Sequence, residues 1–505
     1  MNSSSQTSAR TFNSFVLAAA VFCVCVGIRA HLAGMPLERD EGEYAYMGQR
    51  ILAGVPPFAD AFAMKFPGIY AAYALILKIF GQTDSGIRTA LILINTASCA
   101  FLYATMRKLG NERAGLWAAA CYAVSSLAPA VLGMTANAEH FILFFALGGT
   151  FFLTRSLRNR DVLAAGICFG LAMTMKQQGA LFTLFGGLWL LFLSRRTFPA
   201  STLRKQLTAY IAGVLIPLLV TAGWMWKAGV WNSFWFWCVT YARYYGSAWT
   251  LHHAVTYFLT QFSPVAVQLG SILLAGVLGL WMALKKDRLV AVLILLWAVC
   301  GFVAITPGWI FRPHYFLFLL PAISIAAGLA LSSMRWVLPI ALALFLPILL
   351  QWNLWFASPT EAIRQLYPNN AFLELRTLGM SLRQIVLPDQ NLAVLGSEPE
   401  IFFYARHASS IPYIYMYPLM ESQPFAAGMQ KHLMDILETQ PPDYLVHVRA
   451  PRSWLVHPAA PKMMIEWMPP FLASHYILLR EIDLGCNEEG THRNIILYRR
   501  RTALP

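Results

Sequence analysis

Glu38, Asp40, Glu41 and Glu43 fall within six positions, inside the run Glu38-Arg39-Asp40-Glu41-Gly42-Glu43-Tyr44-Ala45-Tyr46. Residues 1–356 hold only ten Asp or Glu in all, so this knot concentrates carboxylates where the chain otherwise avoids them. Like charges packed so closely must be solvated or paired. Beside a membrane segment, such residues usually serve a substrate or ion. A carboxylate there can take a proton from an attacking hydroxyl. Some 20 residues on, Met64-Lys65-Phe66-Pro67-Gly68 offers a lysine ahead of Pro-Gly, a cation suited to a phosphate held at a lipid surface.

Three further polar runs supply candidate substrate-binding residues: Thr135–His140 with Glu139 and His140, Met175–Gly179 with Lys176, and Phe311–Tyr315 with Arg312, His314 and Tyr315. A loop over 228–262 is rich in Trp, Phe and Tyr and carries Arg243 in Tyr241-Ala242-Arg243-Tyr244-Tyr245, a pattern suited to docking on lipid headgroups. Its His252-His253 pair lacks the i,i+4 spacing of a helical zinc site.

The elements that must position these residues are membrane helices. The chain has 505 residues, 58% hydrophobic and only 12% charged, against roughly a quarter charged in a soluble domain. Its mean hydropathy is +0.54. Stretches able to cross a bilayer occur near 12–34, 86–106, 114–133, 138–155, 161–176, 178–194, 208–227, 264–284, 289–306, 313–332 and 336–356, about eleven spans. The first reads as an uncleaved anchor. The segment 68–80 is short and contains Lys78, so it either lies in the interface or crosses steeply.

Positive charges orient the whole. With a cytoplasmic N-terminus and 68–80 not crossing, the cytoplasmic loops carry Arg107, Lys108 and Arg113; Arg155, Arg158 and Arg160; Arg195, Arg196, Arg204 and Lys205; Lys285, Lys286 and Arg288; and Arg335. The loop 35–85 and everything after about 357 then face the non-cytoplasmic side. The net charge of +14 resides in the membrane half, with 25 Lys or Arg against 10 acids over 1–356, so it is no sign of nucleic-acid binding. Residues 357–505 read as a small soluble α/β domain, with strands at 394–396, 444–448 and 495–498 and a helix starting near Glu398. The eight cysteines form no disulfide framework; a Cys238–Cys486 bridge is conceivable.

Within the first loop, Gly42–Leu52 has helical character and Gly54 with Pro56-Pro57 ends it. Asp40 and Glu41 then sit at a helix N-terminus. Glu43 and Arg50, seven apart, share a face and are expected to pair.

The runs RDEGEYAYMGQ, KFPG and GIRTALILINT, followed by MKQQG, ARYY, RPHYFLFLLPAI and VLGSEPEIFFYARH, resemble the polytopic GT-C glycosyltransferases of the protein O-mannosyltransferase and aminoarabinose-transferase type. The resemblance implies a membrane-embedded catalytic unit, 1–356, with a periplasmic α/β domain, 357–505. It implies transfer of a sugar from a polyprenyl-phosphate donor to a glycolipid, polysaccharide or protein acceptor at the outer face of a bacterial inner membrane. Asp40 matches the family's catalytic acid and Glu41 its neighbour. Lys65 matches the lysine near the donor phosphate, with KFPG in place of the commoner KPP, and Arg243 and Arg312 match arginines of later loops. Use of a divalent metal stays open, and no other cofactor is implied. Two rival readings are a lipid-linked sugar flippase, which would place charges near the bilayer midplane, and a non-catalytic envelope scaffold.

Overall fold

The computed structural model describes residues 3–245, 251–334, 336–486 and 490–501. Arg335 and residues 246–250 of the aromatic loop lie outside that set, as does the side chain of His252. The apolar segments fold as helices α1 Ser3–His31, α4 Asp84–Lys108, α5 Glu112–Ser125, α6 Ala138–Arg155, α7 Asn159–Met175, α8 Gly179–Thr197 and α9 Ala200–Lys227. Between α1 and α4 lie α2 Arg39–Leu52 and α3 Pro67–Phe80. After α9 come the short α10 Trp231–Trp235 and α11 Ala242–Tyr245, then α12 Leu251–Gln268, α13 Gly270–Lys286, α14 Arg288–Ile305, α15 Leu320–Ser333 and α16 Val337–Leu349.

Every expected span overlaps one of these helices, although α5 stops at Ser125 within 114–133, 264–284 straddles the break between α12 and α13, and the loop expected over 228–262 is largely helical. Among the described residues, five helical stretches are long and apolar enough to cross a membrane by themselves: 14–31, 84–108, 200–227, 288–305 and 313–333. A sixth arises if α12 and α13, bent by 93° at Leu269, form one broken span. The other five expected spans are α5, α6, α7, α8 and α16, of 13 to 19 residues, several with charged ends that dilute their apolar run. Close helix packing compensates: on α7 and α9, Gly166 and Gly213 face each other, and a Cβ on Gly166 would stand 2.3 Å from the Tyr210 carbonyl. Small residues let membrane helices approach in this way.

Helix α3 has 14 residues, about 21 Å of rise, less than the roughly 30 Å hydrocarbon core. It buries Ile69, Tyr70, Tyr73 and Leu77 and exposes Leu75 and Ile79. One face thus packs on protein while the other offers an apolar strip, as the interfacial reading of 68–80 requires.

The direction of each helix segregates charge. The ends bearing Asp84 (α4), Glu139 (α6) and Lys176 (after α7) gather at one end of the bundle with Arg312 and His314. The opposite ends carry Arg107–Lys108, Arg155, Arg195–Arg196 and Lys285–Lys286. Arg29, inside α1, is satisfied by carbonyls: it donates to Gly133 O at 2.7 Å and Ser126 O at 2.6 Å. Those carbonyls satisfy its donors in the last turn of α1, close to the end of the bundle that bears Asp84 and Glu139.

The tail builds a four-stranded sheet in the order β1-β2-β4-β3, from β1 Leu392–Leu395, β2 Tyr444–Arg449, β3 Tyr476–Cys486 and β4 His492–Arg500. Strands β1 and β2 run parallel, and β4 is antiparallel to both of its neighbours. The expected strands correspond to β1, β2 and β4; β3 was not foreseen, because Tyr476 continues without a turn signal from the helix Met463–His475. The tail is docked onto the first loop: Leu37 N–H donates to Tyr404 Oη at 2.9 Å, and Ser409 N–H to Tyr46 Oη at 2.8 Å.

No disulfide joins Cys238 and Cys486, so the bridge that the sequence left conceivable is not made. Cys238 is buried, its thiol donating to Lys65 O at 3.2 Å, while Cys486 is exposed on β3.

Candidate active site

Helix α2 starts at Arg39, three residues before Gly42, and Glu38, outside it, is the N-cap. Glu38 Oε1 accepts from Glu41 N at 3.1 Å and Glu41 Oε2 from Glu38 N at 3.2 Å, a reciprocal capping box. Burial and then the nearby Asp40 charge push the Glu38 carboxyl up to about 8. With the cap supplied by Glu38, Asp40 is released from that structural duty.

The four carboxylates diverge because each step along a helix turns the side chain by about 100°. Glu41 points into the bundle, fully buried, where it accepts from Arg88 at 2.8 Å and from Ala136 N at 2.5 Å. Glu43, also buried, accepts from Tyr70 Oη at 2.5 Å and Lys65 Nζ at 3.1 Å. Asp40 meets the same ammonium at 3.2 Å, and its side chain keeps 24% of its surface against 1% for Glu43. Asp40 is therefore the accessible member of the trio.

Two expectations are corrected here. Glu43 does not pair with Arg50: seven residues are two turns, about 10.5 Å along the axis, and each side chain finds a nearer partner. Arg50 instead grips Asp60 through Nε at 3.0 Å and an Nη at 2.5 Å. Glu41, expected beside Asp40 in the site, is turned away into the Arg88 pair. An uncompensated charge there would cost about 3–5 kcal/mol.

Around Asp40 the electrostatics are cationic. Burial opposes its ionisation, yet Lys65 first, then His314 and Lys176, hold the carboxyl well below the usual carboxylate range. Burial likewise opposes the charge on Lys65, but Asp40 and Glu43 outweigh it and keep the ammonium firmly protonated. Lys176 donates to Glu139 at 2.7 Å and lies 4.4 Å over the Tyr315 ring, while His314 Nε2 stands 4.0 Å from Glu139. The tertiary fold thus brings Glu139, Lys176, His314 and Tyr315 together beside the Asp40–Lys65 pair.

Other candidates are placed differently. His140 is buried against Asn95, 3.5 Å away, on the bundle side and not in this cluster. Arg243 is exposed on α11, and among the described residues no hydrogen bond or ion pair joins it to Asp40 or Lys65. Arg312 is half-buried, and its charge reaches the tail's Tyr417.

The tail contributes residues that the sequence reading missed. Tyr415 Oη donates to Arg39 O at 3.2 Å and reaches Asp40 Oδ1 at 3.5 Å. Arg39 pairs with Glu398 at 2.7 Å, and its guanidinium lies 5.6 Å from the Tyr417 ring. The aromatic run Tyr413-Ile414-Tyr415-Met416-Tyr417 was the one available signal, unread because its contacts lie about 375 residues away.

Among the described residues no group of three or more His, Cys, Asp or Glu converges as ligands. The positions between Asp40 and Glu43, and beside Glu139, are filled by the ammonium groups of Lys65 and Lys176.

Comparison with known proteins follows the same lines. Residues 65–226 match the family of dolichyl-phosphate-mannose-protein mannosyltransferases. No curated protein matches the sequence. Among solved structures, ArnT from Cupriavidus metallidurans, crystallised bound to undecaprenyl phosphate, is similar with a TM-score of 0.59 at 15% identity, covering 95% of this chain and 97% of that one. The archaeal oligosaccharyltransferase AglB from Archaeoglobus fulgidus, in complex with an inhibitory peptide and a dolichol-phosphate, gives 0.51 at 13% identity over 97% of this chain and 75% of that one. The expected resemblance holds: this is a multi-pass membrane protein with the GT-C glycosyltransferase fold over nearly its whole length, similar through residues 65–226 to the dolichyl-phosphate-mannose-protein mannosyltransferases.

Proposed function

We propose that the chain transfers a sugar from a polyprenyl-phosphate donor to a hydroxyl-bearing or phosphate-bearing acceptor, with Asp40 as general base. The observation that carries this reading is the exposure of Asp40 alone among the trio, with Lys65 3.2 Å away. The family match and the shared fold support lipid-linked sugar transfer, and the GT-C neighbours bind undecaprenyl or dolichol phosphate.

In the proposed step the acceptor oxygen attacks the anomeric carbon while its proton, where it carries one, passes to Asp40. The bond from that carbon to the phosphate oxygen breaks, and the polyprenyl phosphate leaves with the electron pair. Lys65, with Arg312 and Lys176 nearby, compensates the charge gathering on the phosphate. Arg243 joins them only if α11 moves inward when donor binds. One displacement inverts the anomeric centre.

A base held below the usual carboxylate range is weak until its counter-ion moves. Donor phosphate supplies the means: as Lys65 turns to it, Asp40 loses its partner and its proton affinity rises when the acceptor is in place. The orientation that goes with this reading puts α2, α3 and the tail outside the cytoplasm, supported by the segregation of basic helix ends to the far side of the bundle.

The test is chemical. A deletion strain should accumulate unused polyprenyl-phosphate sugar and an envelope acceptor lacking one sugar, read by mass spectrometry of extracted glycolipids. Wild-type chain should restore the acceptor. Asp40→Asn, inserted at the same level, should lower transfer by roughly 10²–10⁴-fold. Full restoration by that variant would sink the assignment.

A further inference from the structure

Residues 412–417 of the tail run between the two halves of the Asp40–Lys65 pair. At one end they join the stretch that carries Lys65: Phe62 N–H donates to Pro412 O at 2.7 Å, Phe62 and Tyr413 form a parallel bridge, and their rings meet edge to face at 5.3 Å. At the other end they meet the start of α2, where the Arg39 guanidinium lies 5.6 Å from the Tyr417 ring. Met416 N–H donates to Ser397 Oγ at 2.9 Å and Tyr417 Oη to Arg452 O at 2.9 Å, which ties the run to the tail as well. Tyr415 is thus fixed between anchored neighbours, half-buried, with its ring stacked on Tyr417 at 5.6 Å.

Its hydroxyl has two acceptors within reach. It donates to Arg39 O at 3.2 Å, and Asp40 Oδ1 stands 3.5 Å away, at the outer limit of a hydrogen bond. A hydroxyl hydrogen turns about its C–O bond, so a change of acceptor asks only a slight approach of the ring. Arg39 O, a helix carbonyl, keeps its i+4 N–H. Lys65 Nζ also ends on Oδ1, at 3.2 Å. Both donors converge on one oxygen, and among the described residues none hydrogen-bonds Oδ2. That second oxygen is the one left to take a proton.

An aspartate fixed by one partner regains rotamers when that partner leaves. In the proposed reaction Lys65 turns to the donor phosphate just when Asp40 must face the acceptor. We infer that Tyr415 is the positioning residue that then holds Asp40: its hydroxyl turns from Arg39 O to donate to Asp40 Oδ1 and keeps Oδ2 directed at the acceptor oxygen. The inference rests on the transfer reading above, since it names what orients the base of that same site. It gives the soluble tail a part in turnover that docking alone would not.

The test adds purified full-length chain to membranes of the deletion strain, which hold accumulated donor and unmodified acceptor, and follows sugar transfer by mass spectrometry from about pH 4 to 8. Tyr415→Phe keeps the ring stack and removes only the hydroxyl. It should lower the maximal rate about tenfold. It should also move the acidic limb of the rate upward by roughly half a pH unit or more, because a carboxylate that loses a hydrogen bond holds its proton more tightly. Lys65, His314 and Lys176, whose charges also act on Asp40, are untouched by this change, so the limb reports the hydroxyl. Tyr46→Phe removes the acceptor of Ser409 N–H, a docking contact on α2 that does not involve Asp40, and should leave the limb in place. A Tyr415→Phe chain with wild-type rate and limb, while Asp40→Asn is inactive, overturns the positioning role and leaves the transfer reading standing. An equal upward move in Tyr46→Phe overturns it too, because docking alone would then account for the effect. Asp40→Asn transferring at the wild-type rate overturns both readings.

Discussion

Lys65 and Asp40 are 25 residues apart in sequence and 3.2 Å apart in space, and the same ammonium lies 3.1 Å from Glu43. One lysine therefore bridges an accessible carboxylate and a buried one. Glu43, itself accepting from Tyr70 Oη at 2.5 Å, anchors the ammonium from behind, so Lys65 keeps one carboxylate partner when it leaves Asp40.

Replacing that lysine should separate donor from acceptor effects. A charge-assisted phosphate contact is worth about 1.5–3 kcal/mol, so Lys65→Ala should raise KM for the polyprenyl-phosphate sugar roughly tenfold or more. The acceptor KM should change little. Steady-state kinetics with each substrate varied in turn makes the comparison, and a larger effect on the acceptor would count against the phosphate role.

The pH profile carries the sign of the Asp40 environment. Its carboxyl is held below the usual range by Lys65, so in wild-type chain the free-enzyme kcat/KM should show no acidic limb from Asp40 between pH 5 and 7. Removing the ammonium leaves burial, which favours the protonated form. In Lys65→Ala the acidic limb should move upward in pH, and an unmoved limb would contradict the assignment.

Stability should also respond to pH through Glu421, which accepts from Tyr241 Oη at 2.6 Å where the aromatic loop meets the tail. Burial raises its carboxyl to about 7, from an ordinary 4.5. Below about 4.5 the folded and unfolded chains are both protonated; between there and 7 only the folded chain keeps the proton. Stability should then fall with rising pH by up to about 1.4 kcal/mol per unit, and level off above 7. Thermal unfolding from pH 5 to 8 should show a shallower decline in Glu421→Gln.

Docking of the tail on α2 depends on close backbone approach at Gly42. A Cβ there would stand 2.8 Å from Glu400 Cα and N. Neither is the tip of a flexible side chain, so Gly42→Ala must displace the helix Glu400–Ala405 or α2 itself, at about 1–3 kcal/mol. Limited proteolysis should then cleave the tail faster than in wild-type chain. Transfer should fall too, since Tyr415 and Arg39 lose their register.

Much of this was legible in the chain. The apolar runs placed a helix at each expected span, because a membrane forces each backbone polar group to be paired inside its own helix, but missed ends by up to eight residues at α5, α9 and α16, and read as loop most of α12 Leu251–Gln268. The stop at Gly54 and Pro56-Pro57 ended α2 correctly at Leu52. The acidic knot and Met64–Gly68 were recognisable by residue type. What failed were pairings inferred from spacing: Glu43 with Arg50 was sound helix geometry, yet Lys65 and Tyr70 on one side and Asp60 on the other offered nearer partners.

The amino-acid sequence by itself determined the membrane class, the helix positions and the presence of four carboxylates at one helix start, since hydrophobicity and 3.6-residue periodicity are local properties. Tertiary structure alone decided which carboxylate would be usable. Arg88, 47 residues from Glu41, neutralised one; Tyr70 and Lys65 enclosed another; and Tyr415, 375 residues away, closed over Asp40 without burying it. Those partners are chosen by packing between distant segments, where burial energy outweighs any preference encoded in the neighbouring residues.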